Sequence, residues 1–228
     1  MLINNYIYLN VNRSATGDNE PTAGATSDLI IEKFNLKITK SDVKLLHFHD
    51  LNDTIVDFYF NLIVERSRES PDLPKTYALN SYFYDKLLHG YDGVRRWTKN
   101  VDIFTYDFII IPINIYKHWS LCLVDLKKKC VKYVDGEKRR NERCLEIILY
   151  YLVTEHYQKR DIEIAEEDWD CEHVLNVPVQ SNPNDSGVFT ITFAEYCSRN
   201  AAFDFTEADI PAIRHKVILE IKEGKLIN

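Results

Sequence analysis

The chain has 228 residues, 45% of them hydrophobic and 12% aromatic, enough apolar material for one large domain or two small ones with a sizeable core. Its formal net charge is −7 and its pI about 5.5. That balance argues against nucleic acid as the main partner, because phosphate binding needs a concentrated basic surface and the runs Lys127–Lys129 and Lys138–Arg140 are short enough to be solvated turns.

Five cysteines occur: Cys122, Cys130, Cys144, Cys171 and Cys197. The number is odd and no C-x-x-C pair is present, which speaks against a zinc site or a disulfide framework. Buried thiols in a reducing compartment are the expectation, with Cys122 and Cys130 in the core. The N-terminal MLINNYIYLNV has no basic n-region, and FIIIPINIY (108–116) is far too short for a membrane span. The expected protein is soluble and intracellular, with no membrane partner.

Residues 12–27, NRSATGDNEPTAGATS, are polar and rich in Gly, Pro, Ser and Thr, and predict a flexible arm over 1–27 before a domain over 28–228. LIIEKFNLKIT is expected to be a short strand or turn region, and SDVKLL (41–46) opens with a capping serine. After Asn52 or Asp53 the run TIVDFYFNLIVERSR has apolar residues at helical spacing (Ile55, Phe58, Tyr59, Leu62, Ile63), closed by Pro71 and Pro74. ALNSYFYDKLLHG (78–90) predicts a second helix ended by Gly90. The period then changes. DFIIIPINIY, HWSLCLVDL and CVKYVD predict three successive strands, with residues 127–129 as the last turn. A helix over roughly 139–158, a strand at VLNVPV (174–179), a helix from Gly187 and a closing helix from about Glu207 follow. A helical first part, a central sheet and closing helices make an α+β domain.

Polar residues sit at the edges of these elements. His118 opens one strand and Asp135 closes the next. Both fall at the hairpin end away from the 127–129 turn, where a diagonal imidazole–carboxylate contact is feasible. Asp135 would then hold one ring nitrogen and leave the other as a base. Ser186 starts a helix, where backbone N–H groups favour an anion, and Gln180 is placed to offer an amide to an oxyanion. Taken singly, each has an ordinary reading: a surface or core histidine, a turn-forming aspartate, a helix cap.

Order and spacing go further. HW, then YVD with its Asp seventeen residues after the His, then Q-x-N-x-x-D-S-G, resembles the SUMO-specific proteases (the ubiquitin-like-protein proteases called SENP or Ulp), with Ser where that family has Cys. FNLKIT (34–39), LNDTIVDFYFNLI (51–63), LNSYFYDKL (79–87), GYDGVRRWTKNVDIF (90–104) and DFIIIPIN…HWSLCLVDL (107–126) are similar to the family in order and spacing, so the resemblance covers nearly the whole chain from about residue 28.

The resemblance implies a papain-like cysteine protease fold with permuted chain order, a central mixed sheet flanked by helices. It implies His118 as general base, Asp135 as its orienting partner, Gln180 in the oxyanion hole and Ser186 at the nucleophile position. Trp119 matches the tryptophan over the substrate's Gly-Gly tail, Asp53 a contact to a basic residue of SUMO, and Tyr82 an aromatic exosite residue. The ordinary reading of Asp53 is a helix cap, and that of Tyr82 simple packing. The implied partner is SUMO or a related ubiquitin-like protein and its conjugates. No metal or organic cofactor is implied, a monomer is expected, and the implied compartments are nucleus and cytoplasm.

Two positions depart from the pattern. A serine hydroxyl is far less acidic than a thiol and needs its proton removed during attack. Asp50 stands where the family has a tryptophan before L-N-D, so one wall of the tail tunnel is missing or comes from Phe48. Three readings stay open: a working site whose cysteine has been replaced by serine, a pseudoprotease that binds without turnover, and a serine hydrolase on this scaffold.

Overall fold

The structure is a computed structural model that describes residues 28–227. The arm expected over 1–27 lies outside the described residues. The first element is a hairpin, β1 (Leu29–Lys33) and β2 (Leu36–Thr39). Helix α1 (Lys40–Phe48) follows directly. Its cap is Thr39, not Ser41: the Thr39 side chain accepts from the Asp42 N–H while Asp42 accepts from the Thr39 N–H, a reciprocal box that the sequence reading placed two residues late.

Helix α2 (Asp53–Glu69) begins where its apolar spacing predicts, capped by Asn52, whose side chain accepts from the Ile55 N–H at 3.0 Å. The helix expected over 78–90 is mostly absent. Thr76–Ala78 is a strand, β3, and only Phe83–Leu87 is helical, as α3. Tertiary pairing overrides local propensity here, because Tyr77 and Ala78 lie parallel to Ile109 and Ile110.

Strands β4 (Phe108–Ile115), β5 (His118–Asp125) and β6 (Cys130–Val134) form the predicted antiparallel series. The final strand is β7 (Asp170–Val174), and 175–179 lies beyond it. β7 pairs parallel with β6 from Cys130↔Asp170 to Val134↔Val174, and that register ends the strand where VLNVPV was expected to begin. The five strands run in the order β3-β4-β5-β6-β7, a mixed sheet. Pro112 is tolerated in β4 because β3 stops opposite Ile110, which leaves that side of β4 an edge.

Helix α4 (Glu142–Arg160) starts three residues later than expected, at the Asn141 cap. Helices α5 (Ser186–Ser198) and α6 (Ile210–Glu223) close the chain. The sheet has a core on each face, which explains the unbroken apolar runs of β4 and β5. Ile109, Ile111, Cys122 and Val124 pack with α3 and α4, while Ile110, Leu121 and Leu123 pack with α2, α5 and α6. α5 is buried all along Ser186–Glu195, so its β-branched residues are held by packing rather than by propensity. Cys122, Cys130 and Cys144 are buried, as expected of core thiols, but Cys171 on the edge strand β7 is exposed and Cys197 half-buried.

Candidate active site

His118 is placed by a two-residue turn. Ile115 pairs with His118, and between them Tyr116 and Lys117 have φ of 51° and 67°. Two left-handed residues match the twist of the flanking strands, so β5 starts in register with the imidazole at its first position. Asp135 lies just beyond the end of β6 and is 2% exposed. Its Oδ2 is 2.9 Å from His118 Nε2, the diagonal contact that strand order predicts. Its Oδ1 accepts from the Glu137 N–H at 2.7 Å, which fixes the carboxylate plane. Asp135 also forms the turn, since its carbonyl accepts from the Lys138 N–H at 2.9 Å. The turn reading and the orienting geometry therefore coexist in one residue.

The other ring nitrogen, His118 Nδ1, faces Glu137 Oε1 at 3.7 Å. Glu137 was not singled out in the sequence, because a Glu beside basic residues reads as solvated surface.

Ser186 is 1% exposed and is the first residue of α5. It is not the cap; Asp185 holds that position. Ser186 Oγ accepts from the Trp119 N–H at 3.2 Å, which puts the hydroxyl against β5 one residue from His118. Trp119 is 3% exposed and its indole N–H donates to the Leu51 carbonyl at 2.9 Å. That bond ties β5 to the segment just after Asp50. Gly187 lets the same segment approach: a Cβ there would stand 2.8 Å from Leu51 Cβ.

Gln180 is 4% exposed, with its N–H donating to the Gly136 carbonyl at 2.9 Å, so it lies beside the Asp135 turn. Its Nε2 donates to the Asn182 carbonyl at 2.9 Å, and its Oε1 is buried without a hydrogen-bond partner. The amide thus braces the loop that leads to Ser186. Asp50 is exposed, and Phe48 nearby is 79% exposed.

Asp53 and Tyr82 are brought together, the Tyr82 hydroxyl donating to the Asp53 carboxylate. Asp53 does not cap α2, since Asn52 does. Both line a hollow of about 600 Å³ with Asp42, Asn52 and Asp57. Asp57 is 2% exposed and accepts from the Ser81 N–H at 2.7 Å and the Ser81 hydroxyl at 3.0 Å. Burial pushes its carboxyl up to about 7, against the pull of the Ser81 hydrogen bonds. No local signal in the sequence marks it, because Asp57 falls off the stripe of Ile55, Phe58, Tyr59, Leu62 and Ile63 and is buried only by the tertiary packing around α2. Among the described residues no group of three or more His, Cys, Asp or Glu side chains is arranged to hold a metal ion, and no helix is long and apolar enough to cross a membrane.

A model of the Ulp1 protease family C-terminal catalytic domain matches residues 49–225. The chain belongs to this family. It is 38% identical over 208 residues to rat (Rattus norvegicus) sentrin-specific protease 2, a match that covers 90% of this chain. It spans 35% of the length of that relative. Among solved structures it is similar to the SUMO protease Ulp1 with its catalytic cysteine oxidised to a sulfinic acid (TM-score 0.74, 35% identity, 86% of this chain and 88% of that one). It is similar also to the C-terminal Ulp1 protease domain in complex with Smt3, the yeast orthologue of SUMO (TM-score 0.75, 34% identity, 86% of this chain and 87% of that one). The fold is accordingly that of the Ulp1 catalytic domains.

Proposed function

We propose that this chain is a domain for processing and deconjugating SUMO or a related ubiquitin-like protein, acting after the C-terminal Gly-Gly on a papain-like plan in permuted order. In its active form the site would use His118 as base, Asp135 to orient it, Gln180 and backbone N–H groups for the oxyanion, and a nucleophile at position 186. One arrangement carries the reading: the His118–Asp135 contact at 2.9 Å with Ser186 held against the next residue of the same strand, at the start of a buried helix.

With a thiol at position 186, sulfur attacks the scissile carbonyl and the thiol proton passes through His118 to the leaving amine. Water then attacks the acyl–sulfur bond with His118 taking its proton, which releases the carboxylate and restores the thiol. With Ser186 the nucleophile is un-ionised at neutral pH and oxygen is smaller than sulfur, so turnover falls by orders of magnitude while the binding surface is left almost unchanged. Trp119, Asp53 and Tyr82 would contact the partner. The proposed domain is a monomer of nucleus or cytoplasm that uses no cofactor.

A second reading, a pseudoprotease that binds the partner without turnover, is favoured by Ser186 together with the exposed Asp50 at the expected tunnel wall. Hydrolysis of a SUMO C-terminal fluorogenic substrate by this chain and by Ser186→Cys, with binding of intact SUMO in parallel, separates the two. A silent parent, a cleaving Ser186→Cys variant and retained binding support the protease. Retained binding with no cleavage by either protein supports the pseudoprotease, and loss of binding refutes the SUMO assignment.

A further inference from the structure

Asp185 stands at the N-cap of α5, next to the nucleophile position, and caps nothing. An aspartate there ordinarily accepts from the N–H groups of the first turn. Here both carboxylate oxygens are drawn away. Oδ1 accepts from Arg214 Nη2 at 2.5 Å and Nε at 3.1 Å, and Oδ2 accepts from Asn182 Nδ2 at 3.1 Å.

Arg214 comes from α6 and is 5% exposed. The same guanidinium reaches two further segments. Nη2 donates to the Asn184 carbonyl at 2.9 Å, in the loop before Ser186. Nη1 donates to the carbonyls of Leu46 at 3.1 Å and His49 at 3.2 Å, where the chain leaves α1 just ahead of Asp50 and Leu51. A planar guanidinium can serve these directions at once. The pair is shielded from water, so an unmatched charge at either member would act strongly on its surroundings.

We propose that Arg214 is a positioning residue for the site, and that its main task is to neutralise Asp185. A lone carboxylate beside position 186 would oppose the negative charge of a thiolate and of the oxyanion formed after attack. Paired with Arg214, Asp185 shapes the loop without that penalty. The inference rests on the proposed protease reading, and it explains why an acidic residue is tolerated immediately before the nucleophile position.

The test is a double-mutant cycle in the Ser186→Cys chain. The rate of iodoacetamide alkylation at position 186 is read by peptide mass spectrometry, with kcat and KM on the fluorogenic substrate and Tm measured beside it. Alkylation needs no substrate recognition, and exposed Cys171, whose thiol is pushed up by partial burial and the neighbouring Asp170 carboxylate, serves as the unactivated reference in the same molecule. Arg214→Gln is expected to lower both the alkylation rate and kcat about ten-fold or more, with KM little changed. Adding Asp185→Asn, which removes the stranded carboxylate, is expected to recover most of both losses.

A purely mechanical clamp predicts the opposite, that the second substitution deepens the loss; that outcome overturns the inference. So does an Arg214→Gln chain that folds and reacts like its parent. Should Arg214→Gln not fold, Arg214→Lys keeps the charge without the fork. It is expected to lower Tm while losing less alkylation rate per folded molecule than the ten-fold above, and an equal loss counts against neutralisation. If the Ser186→Cys parent neither hydrolyses the substrate nor reacts faster than Cys171, the protease reading fails and takes the inference with it.

Discussion

The Tyr82 hydroxyl donates a hydrogen bond to the Asp53 carboxylate, joining the start of α2 to the residue just before α3 across 29 positions of chain. The two residues line one acidic hollow, and Asp53 is in the first turn of α2 without capping it. If that hollow receives a basic residue of a ubiquitin-like partner, Asp53→Ala should weaken binding about ten-fold. Tyr82→Phe, which loses only the hydroxyl, should weaken it less. Titration of SUMO into the Ser186 chain checks both, and the Asp53 effect should shrink as salt is raised.

Asp135 holds His118 from behind with one oxygen while its other oxygen is tied to the Glu137 N–H. Asp135→Asn in the Ser186→Cys chain keeps the shape and removes the charge that stabilises an imidazolium. We expect kcat to fall by about a hundred-fold or more, with the fold unchanged by circular dichroism. A loss of only a few-fold would assign Asp135 to the turn alone.

Asp57 gives a pH dependence. Its folded carboxyl titrates near 7, raised by burial from an ordinary 3.8. A raised folded value means that the folded state holds the proton more tightly than the unfolded one. The contribution to stability is therefore full below about pH 4 and is lost as pH rises through 7. For this group alone, the free energy of unfolding should fall between pH 4 and 7 with a slope approaching about 1.4 kcal/mol per pH unit. Asp57→Asn should flatten that slope in urea unfolding measured at pH 5, 6, 7 and 8.

Gly187 permits the close approach of Leu51 to the start of α5. Gly187→Ala would drive a Cβ to within 2.8 Å of Leu51 Cβ, so the segment carrying the Leu51–Trp119 bond must shift. Overpacking of this kind costs about 1–3 kcal/mol. A thermal melt should show a lower Tm, and a Tm equal to the parent's would mean that the segment gives way freely.

Much was legible in the sequence because it is local or periodic. The α2 stripe, the three strands from Phe108 to Val134 and the turn between Asp125 and Cys130 follow from alternation and spacing. So does the pairing of His118 with Asp135, since antiparallel register carries both residues to one end of the hairpin. What the sequence could not decide depends on partners distant in the chain. β3 exists because β4 offers it an edge, and β7 ends at Val174 because β6 does. Asp53 reads as a cap until Asn52 is seen to hold that role, and Asp57 reads as one more helix residue until burial raises its proton affinity. Arg214 reads as a basic residue on a terminal helix, and only packing brings it to Asp185, 29 positions earlier. Hydrogen bonds and hydrophobic periodicity along a segment are written in that segment. The charge environment of a buried site is set by whichever side chains the fold brings together, and no local pattern contains that information.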